Sequence, residues 1–367
     1  MTQAGRIIKA VMERSVYRII DANFNRAREA VRVVEEFCRF ALNCEALTTR
    51  AKQLRHRLCS CLSELDAGRL IASRDSLADV GAGRTVDDQL SRANLRDCFT
   101  AACKRLTEGL RALSEMTQTL NPDLAEQIEE LRFAAYTLEK DIIVFADTAQ
   151  KFKKVSLYVI ISSSLPADVL SLTNRCAAGG ADCIQLRAKN IADDELFALA
   201  AEFVNMCGSG GVLSIINDRA DIAVAAGADG VHLGQNDLPV EQARRLQLTP
   251  MIIGKSTHSV EQLQKACGEQ PTYVSLGPVF STPTKPDLVP VGLEYVTRAA
   301  EVLAETGVGH VAVGGITPDN VEKVLKAGAK TIAVCSAVTG AADPAAACRM
   351  LKEKITACTK KMEQIDG

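Results

Sequence analysis

Three features that would place a chain in a simple functional class are missing from this 367-residue sequence. There is no excess of charge of either sign, because 43 Lys and Arg stand against 45 Asp and Glu, for a formal net charge of -2. No run approaches the roughly 20 apolar residues of a membrane span, and Met1 to Lys9 lack the apolar centre of a signal peptide. Neither a nucleic acid nor a membrane is therefore expected as a partner, and a cytoplasmic protein is predicted.

The 13 cysteines are numerous, yet they do not form metal-binding pairs. No CxxC motif and no closely spaced pair of histidines occurs, and the nearest cysteines, Cys59 and Cys61, have the wrong spacing for zinc. The four histidines show no arrangement suited to nucleophilic catalysis. Buried, reduced thiols in a cytosolic protein are the expectation.

The first part of the chain, residues 1–150, carries a helical pattern only. Apolar residues recur at spacings of three and four, as in Val31, Val34 and Phe37, which indicates amphipathic helices. Gln150 to Lys154 are interpreted as a basic linker. The sequence predicts an all-α helical domain over residues 1–150 and a second domain over residues 151–367.

The second part alternates short β-branched runs with helical stretches, eight times over. The runs are Ser156–Ile161, Asp182–Leu186, Leu213–Asn217, Gly230–Leu233, Met251–Lys255, Tyr273–Leu276, His310–Val313 and Thr331–Val334. A doubly wound open sheet could hold eight strands too, but it would not naturally place chemistry after nearly every strand. The predicted fold class is α/β, a (β/α)8 TIM barrel preceded by an all-α helical domain.

Polar residues follow strands two to eight of this predicted barrel. Because the carboxyl ends of barrel strands converge on one site, these residues are expected to lie close together. Alternation places Gln185, Arg187 and Lys189 on one side of the second strand. The other strand ends contribute Asn217 to Arg219, His232 to Asp237, Gly254 to His258, Gly277 to Lys285, Gly314 to Thr317 and Cys335 to Ala337.

The charged residues among them indicate a binding site for a diphosphate. Arg187, Lys189 and Lys285 are cations directed at one mouth of the barrel. Asp218 and Asp237 are hard oxygen ligands of the kind that Mg²⁺ prefers, with water and phosphate oxygens completing its shell. Cations together with Mg²⁺ predict a metal-bound diphosphate.

The last two strand ends predict a second phosphate site. Gly314-Gly315 and Ser336 follow strands seven and eight, where barrels often hold a phosphate on backbone N–H groups. Each residue by itself has a simpler explanation, since a strand-end Asp is commonly a helix N-cap and a Gly-Gly pair a turn. Seven consecutive strands all end in groups that can bind phosphate or metal. These simpler explanations would have to hold at every one of the seven strand ends, so the functional interpretation is favoured.

In this order, the motifs resemble the thiamine-phosphate synthase family over roughly Val155 to Ala342, about half of the chain. The matching segments are Gln185 to Lys189, Asn217 to Arg219, His232 to Asp237, Gly254 to Ser256, Gly277 to Phe280, Thr282 to Lys285, Gly314 to Ile316 and Cys335 to Ala337. Two positions depart from the family pattern: Ala188 stands where Glu is frequent, and Cys335 stands where Ile or Val is frequent. These departures concern packing and leave the implied activity in place.

The resemblance implies a (β/α)8 barrel and a defined reaction. Members are transferases of thiamine biosynthesis that join 4-amino-2-methyl-5-hydroxymethylpyrimidine diphosphate to 4-methyl-5-(2-hydroxyethyl)thiazole phosphate, or to its 2-carboxy form. The products are thiamine phosphate and pyrophosphate, together with CO2 where the 2-carboxy form is used. The electron-rich aminopyrimidine makes a Mg²⁺-assisted dissociative path plausible, in which the protein supplies no nucleophile.

The resemblance also implies residue roles, position by position. Asp218 and Asp237 are implied to bind Mg²⁺, and the implied catalytic residues are Arg187, Lys189, Lys285 and Ser256. Residues implied to bind the pyrimidine diphosphate are Gln185, Arg187, Lys189, Asn217, Ser256 and Lys285. Residues implied to bind the thiazole phosphate are Thr282, Thr284, Gly315, Cys335 and Ser336.

The helical part contains one pattern of charged residues twice. Arg26, Glu29, Arg32 and Glu36 have the same spacing as Arg105, Glu108, Arg111 and Glu115. Two ordinary salt-bridged helix faces would give this pattern. An arginine-lined pocket between two similar helical units would give it too, with the loop from Arg74 to Gly81 closing over it.

The segment from Asp21 to Glu36 resembles an N-terminal extension of some bacterial synthases that has been proposed to be a hydroxymethylpyrimidine phosphate kinase. No Gly-rich loop ending in Lys-Ser or Lys-Thr is present, so no ATP site can be identified from the sequence. A helical dimerisation or docking module is the alternative, and homo-oligomer formation stays open.

Two other functions compete for the barrel. A thiazole tautomerase-like relative would bind thiazole phosphate without joining it to anything, and a regulatory protein would bind thiamine phosphates with the helical part as its output. Neither needs two metal-binding carboxylates beside three cations. The sequence therefore favours the synthase.

Overall fold

The computed structural model describes residues 3–81, 83–84, 91–247, 249–282, 288–304 and 306–366. The chain divides into two compact units, Met1–Ile143 and Val144–Gly367. Among the described residues, no helix is both long enough and apolar enough to cross a membrane.

The first unit is helical in the residues that the structure describes. Its helices are α1 (Gln3–Glu36), α2 (Glu45–Leu62), α3 (Ala67–Ala72), α4 (Leu95–Thr117) and α5 (Pro122–Phe152), of which α5 continues into the second unit. A single π-helical turn, Phe37–Ala41, follows α1. The amphipathic pattern holds here, because Val31 and Val34 are fully buried.

The pattern of charged residues that occurs twice in the helical part corresponds to matching ion pairs. Arg32 Nε lies 2.9 Å from Glu36 Oε1 on α1, and an Arg111 guanidinium nitrogen lies 2.6 Å from Glu115 Oε1 on α4. Both pairs span one helical turn on exposed faces, so each contributes little to stability. These contacts support the interpretation as salt-bridged helix faces.

The segment interpreted as a basic linker is partly helical instead. Helix α5 runs through Gln150 and ends at Phe152. The Phe152 ring stacks on the Tyr273 ring inside the second unit, with centroids 4.2 Å apart and planes 3° apart. This buried aromatic contact requires the chain to be ordered here, which a charge count along the segment does not reveal.

The second unit is a closed parallel barrel in the described residues, with each strand paired to the next and the last paired to the first. The strands are β1 (Leu157–Ile161), β2 (Cys183–Leu186), β3 (Leu213–Asn217), β4 (Gly230–Leu233), β5 (Ile252–Thr257), β6 (Tyr273–Leu276), β7 (Gly309–Val313) and β8 (Thr331–Val334). The helices after β1 to β4 are α6 (Pro166–Ala178), α7 (Asp193–Ser209), α8 (Ala220–Ala225) and α9 (Val240–Leu246). The helices after β5 to β8 are α10 (Val260–Glu269), α11 (Gly292–Leu303), α12 (Val321–Lys326), α13 (Ser336–Thr339) and α14 (Pro344–Asp366). The predicted (β/α)8 barrel is confirmed.

Strand alternation separates two apolar cores. Outward residues such as Val159, Ile184 and Leu276 are buried beneath the surrounding helices. Inward residues fill the barrel, with the rings of Tyr158 and Tyr273 as its largest members. In the described residues, the barrel is therefore packed below its mouth, and ligands are expected at the ends of the strands.

Candidate active site

A cavity opens at the carboxyl ends of the strands, where barrel enzymes place their active sites. It encloses about 1110 Å³ of empty space, part of it open to solvent. Every strand contributes to the wall, through Ile160, Gln185, Asn217, His232, Ser256, Ser275, Val313 and Val334.

Most of the site residues predicted from the sequence meet at this cavity. Those that line it are Gln185, Arg187, Lys189, Asn217, Asp218, Ser256, Thr282, Gly315, Cys335 and Ser336. The Asp237 carboxylate contacts that of Asp218. Thr284 and Lys285 lie outside the described residues, so their predicted roles have no structural counterpart here.

Asp218 and Asp237 form a pair of carboxylates in contact. The Asp218 backbone has φ of 64°, a left-handed conformation that Asp tolerates better than most residues, and its N–H donates to the His232 carbonyl oxygen at 2.8 Å. Burial, reinforced by the neighbouring Asp237, raises the pKa of Asp218, while Lys189 Nζ at 3.5 Å from Asp218 Oδ2 opposes that rise. Two such carboxylates repel each other unless a proton or a cation lies between them.

The chemistry of this pair fits Mg²⁺. Mg²⁺ is usually held by one or two protein carboxylates, with waters and substrate phosphate oxygens in its other positions. Asp218 lines the cavity, and the Asp237 carboxylate lies beside that of Asp218. In the part of the chain that the structure describes, no cluster of three or more His, Cys, Asp or Glu offers an all-protein metal site.

The loop that carries Asp237 is held at three points. Asp237 Oδ2 accepts a hydrogen bond from the Gly234 N–H at 2.5 Å, and Lys255 Nζ donates to the Gly234 carbonyl oxygen at 2.7 Å. The Gln235 amide donates to the Ser256 carbonyl oxygen. Lys255 is only 5% exposed and was not predicted as a site residue. An isolated Lys within a β-branched run was the available signal.

Cations occupy the side of the cavity that follows β2. The Arg187 N–H continues the pairing of β1 and β2 by donating to the Ile161 carbonyl oxygen at 2.9 Å. The Arg187 guanidinium donates to Ser162 Oγ, also at 2.9 Å. Lys189 follows two residues later and pairs with Asp218, so both predicted cations of this strand end lie at the mouth.

Backbone turns after β7 and β8 form the side of the cavity opposite β3 and β4, the strands that precede Asp218 and Asp237. Gly314 and Gly315 have φ of 104° and 63°, and a Cβ on Gly315 would lie 2.6 Å from the Ser281 carbonyl oxygen. Only glycine suits this turn, since both the conformation and the space exclude a side chain. Cys335 precedes the short helix α13, which begins at Ser336. Main-chain groups are therefore accessible beside the cavity at both predicted phosphate-binding turns.

A hydrogen-bonded chain inside the barrel links two of the predicted residues. Gln185 Nε2 donates to Tyr158 Oη at 2.8 Å, and Tyr158 Oη lies 3.0 Å from Tyr273 Oη. His232 Nδ1 lies 2.9 Å from Tyr273 Oη, and His232 Nε2 lies 3.0 Å from Ser256 Oγ. The two tyrosines are not among the site residues predicted from the sequence. Their inward position follows from alternation along β1 and β6, but the contacts between them do not.

In the first unit, the loop after α3 is attached to α1. The Arg74 guanidinium binds both carboxylate oxygens of Asp21 at 2.8 Å. Arg18 donates to the Asp75 carbonyl oxygen at 2.8 Å. The predicted arginine-lined pocket beneath this loop stays a prediction.

The closed barrel, with cations, a carboxylate pair and glycine turns at the carboxyl ends of its strands, defines a (β/α)8-barrel enzyme whose site suits phosphorylated small molecules. Residues 157–338 match the sequence model of the thiamine monophosphate synthase family. The chain belongs to the thiamine-phosphate synthase family and is an enzyme of that class.

Relatives support this assignment over nearly the whole chain. The thiamine-phosphate synthase of Gloeobacter violaceus is 38% identical over 334 residues, covering 91% of this chain and 95% of that protein. The thiamine-phosphate synthase of Nostoc punctiforme is 36% identical, with 92% of this chain and 93% of that protein covered. Such coverage extends over both units, so these relatives share the helical part as well.

Two further comparisons each cover only part of the chain. A solved structure of thiamine phosphate pyrophosphorylase from Pyrococcus furiosus superposes with a TM-score of 0.51 at 32% identity. It covers 57% of this chain and 98% of that chain. Residues 18–141 match the ThiD2 family, which places a separate family in the helical part.

Proposed function

We propose that the barrel joins this pyrimidine diphosphate to thiazole phosphate and releases pyrophosphate, or joins it to the carboxylated thiazole phosphate and releases pyrophosphate and CO2. The observation that carries this proposal is the contact between Asp218 and Asp237 at a cavity that also holds Arg187 and Lys189. A barrel that only bound or isomerised a thiazole phosphate would have no use for two carboxylates in contact. A diphosphate with a divalent cation would use both.

The diphosphate side of the site follows from this charge pattern. Asp218 and Asp237 would hold Mg²⁺, which when bound would neutralise negative charge on the diphosphate. Arg187 and Lys189 would bind the remaining phosphate oxygens, as would Lys285 by the family resemblance. Asn217 and Gln185, on the inner faces of β3 and β2, would hold the pyrimidine ring.

The reaction needs no protein nucleophile. The bond between the pyrimidine methylene carbon and the diphosphate oxygen breaks, and its electron pair leaves with pyrophosphate. The aminopyrimidine stabilises the resulting cation, and the lone pair of the thiazole nitrogen then forms the new C–N bond. The cations at the mouth lower the barrier by stabilising charge on the departing group, and the cavity holds the thiazole nitrogen in line.

The thiazole phosphate would bind on the opposite side of the cavity. Its phosphate would accept from backbone N–H groups at Gly315 and Ser336 and from the Thr282 side chain, with Cys335 alongside. By the family resemblance Thr284 would complete this site. The two phosphorylated groups would then enter from opposite rims, which brings the methylene carbon and the thiazole nitrogen together between them.

Pyrophosphate release by the purified full-length chain tests this proposal. Release should require the pyrimidine diphosphate, the thiazole phosphate and Mg²⁺ together, and mass spectrometry should detect thiamine phosphate. If thiazole phosphate binds but no pyrophosphate appears, the barrel is a tautomerase-like or regulatory binding protein. Release that is undiminished by a metal chelator would remove Mg²⁺ from the proposal.

For the helical unit we propose phosphorylation of hydroxymethylpyrimidine phosphate. The match of residues 18–141 to a family of its own supports a separate function for this unit. The unit would then produce the diphosphate that the barrel consumes. ATP-dependent conversion of the monophosphate by the full chain tests this, and absence of conversion would favour a dimerisation or docking module.

A further inference from the structure

The chain of hydrogen bonds inside the barrel has no role in the binding scheme above. Tyr158 and Tyr273 are fully buried in the barrel interior, and His232 is 9% exposed. A core position needs only apolar volume, whereas here three buried polar groups are linked in one line between Gln185 and Ser256. Buried polar networks that are fully satisfied make an interior rigid and specific.

The donors and acceptors along this line have one consistent direction. Gln185 Nε2 can only donate, so Tyr158 Oη accepts from it. In the arrangement that gives each hydroxyl one donor and one acceptor, Tyr158 Oη donates to Tyr273 Oη. Tyr273 therefore donates to His232 Nδ1, which makes Nδ1 the acceptor of a neutral imidazole. His232 Nε2 then carries the ring proton and donates to Ser256 Oγ.

Ser256 and Gln185 lie at the two ends of this line of hydrogen bonds, and the line fixes which atoms each of them can offer to a ligand. Ser256 Oγ already accepts from His232, so its hydroxyl proton is available for a group in the cavity that Ser256 lines. The Gln185 amide donates one N–H to Tyr158 Oη, so its carbonyl oxygen points away from the Tyr158 hydroxyl. The line thus presents a donor at β5 and an amide of fixed orientation at β2.

The surroundings hold the central ring of this line in place. The Tyr273 ring stacks on Phe152 from below, with centroids 4.2 Å apart. A Cβ on Gly254 would lie 2.2 Å from Tyr273 Cζ and 2.6 Å from His232 Nδ1, so only glycine at that position admits the ring and the imidazole together. Burial also raises the pKa of both tyrosines well above the usual value, which keeps their protons on the hydroxyls.

We propose that Tyr158, Tyr273 and His232 are positioning residues that set Ser256 as a hydrogen-bond donor to the departing diphosphate and set the Gln185 amide against the aminopyrimidine. This inference rests on the proposed synthase function. None of the three is a catalytic residue, because each acts through Ser256 or Gln185. The geometry gives the barrel interior a second use besides packing, since it joins the two sides of the pyrimidine diphosphate site.

A double-mutant cycle tests the proposal in the full-length chain. Tyr273→Phe keeps the ring and its stacking but removes the proton that His232 accepts, so His232 no longer has a fixed tautomer. We expect kcat with the pyrimidine diphosphate to fall on the order of tenfold, the effect of about one hydrogen bond. The KM for thiazole phosphate should not change. In a Ser256→Ala background the same substitution should have little further effect, because its target is gone.

Tyr295→Phe is the matched control. Tyr295 is also a buried barrel-unit tyrosine, and its hydroxyl donates to Thr257 Oγ1 at 2.7 Å, apart from the line described here. This substitution should lower the melting temperature about as much as Tyr273→Phe does. It should not change kcat relative to its parent, whether that parent is the wild type or the Ser256→Ala variant. Tyr158→Phe should lower kcat as Tyr273→Phe does.

The outcomes separate failure of this inference from failure of the proposed function. Wild-type chain that releases no pyrophosphate would overturn the synthase proposal, and the inference with it. An active wild type whose Tyr273→Phe variant matches Tyr295→Phe in kcat would overturn only the positioning role. Additive effects of Tyr273→Phe and Ser256→Ala would also overturn it, because residues that act through one another cannot be independent.

Discussion

At the scale of single residues, the contact between Asp218 and Asp237 is the most informative feature of the molecule. Two partly buried carboxylates that touch are unfavourable by themselves, and Lys189 at 3.5 Å compensates only one of them. Such an arrangement persists when a cation or a ligand uses it. The pair is therefore better explained by binding than by stability.

Asp237→Ala should lower the rate of pyrophosphate release by on the order of 10² or more, in analogy with the loss of one preorganised electrostatic group. Lys285→Ala should have an effect of similar size. The measurement is turnover across a Mg²⁺ titration, with Asp193→Ala as control because Asp193 pairs with Arg219 on an exposed helix end. Wild-type turnover of Asp237→Ala at saturating Mg²⁺ would contradict the assignment.

The cysteines give a second residue-scale prediction. All 13 are free thiols; nine are buried, and the partly exposed ones are Cys59, Cys98, Cys267 and Cys335. Burial raises the pKa of Cys267 to about 11, so little reactive thiolate forms there at mildly alkaline pH. Alkylation of the native chain followed by mass spectrometry should modify Cys59, Cys98 and Cys335 first. Thiazole phosphate should protect Cys335, and equal labelling of Cys335 with and without it would remove Cys335 from the proposed phosphate site.

At the scale of elements, acidic residues connect the amino ends of neighbouring strands. Asp182, just before β2, accepts from the N–H groups of Ser156 and Leu157 at 2.9 Å and binds Lys352 of α14. Asp229, just before β4, accepts from the Ser214 N–H at 3.0 Å in the same way. These contacts lie at the end of the barrel opposite the cavity, where residues serve stability.

Asp182→Asn should destabilise the barrel by about 1–3 kcal/mol at neutral pH, because a half-buried charge-assisted acceptor and its Lys352 pair are lost. Burial alone would raise the pKa of Asp182, but the Leu157 N–H, Lys352 and the Ser156 N–H outweigh it and lower the pKa. A lowered folded-state pKa means that the stabilisation is present above the ordinary Asp range and disappears as pH falls through the folded-state pKa. The difference between wild type and variant should therefore shrink in acid.

Urea unfolding at neutral and at acidic pH checks this difference. The control is Asp194→Asn, since Asp194 is exposed in the first turn of α7, where loss of one carboxylate changes stability little. The control should unfold as wild type does at neutral pH. A constant gap between wild type and Asp182→Asn at all pH values would show that the charge of Asp182 is not the cause.

At the scale of the whole molecule, the chain combines two units that match two families. The barrel matches thiamine monophosphate synthase over residues 157–338, and the helical unit matches ThiD2 over residues 18–141. Relatives named as thiamine-phosphate synthases align over more than 90% of the chain. A shared two-unit organisation is consistent with two consecutive reactions on one pyrimidine.

The two proposed reactions should be separable in one chain. Full-length Asp237→Ala should lose synthesis of thiamine phosphate while it retains ATP-dependent conversion of the pyrimidine monophosphate to the diphosphate. Chromatographic separation of the two pyrimidine phosphates gives the readout, and unfolding midpoints verify that the variant is folded. Loss of both reactions in a folded variant would mean that they share a site.

Much of the fold was predictable because its signals are local. The eight strands were identified from short β-branched runs, and the structure places their ends within two residues of those runs. The end of α5 was not predictable, because Phe152 is ordered by the ring of Tyr273, far away in sequence. The contact of Lys255 was not predictable for a similar reason, since its partner is a carbonyl group on the loop after β4.

The sequence by itself determined the order of elements, the closed barrel and the chemistry of the strand ends, because periodicity and strand-end polarity are properties of neighbouring residues. Only the tertiary structure decided which of these groups meet. Tyr158 and Tyr273 are 115 residues apart and share a hydrogen bond because closure of the barrel turns both inward at similar depth. Asp218 and Asp237 likewise become one site because β3 and β4 are neighbours in the sheet.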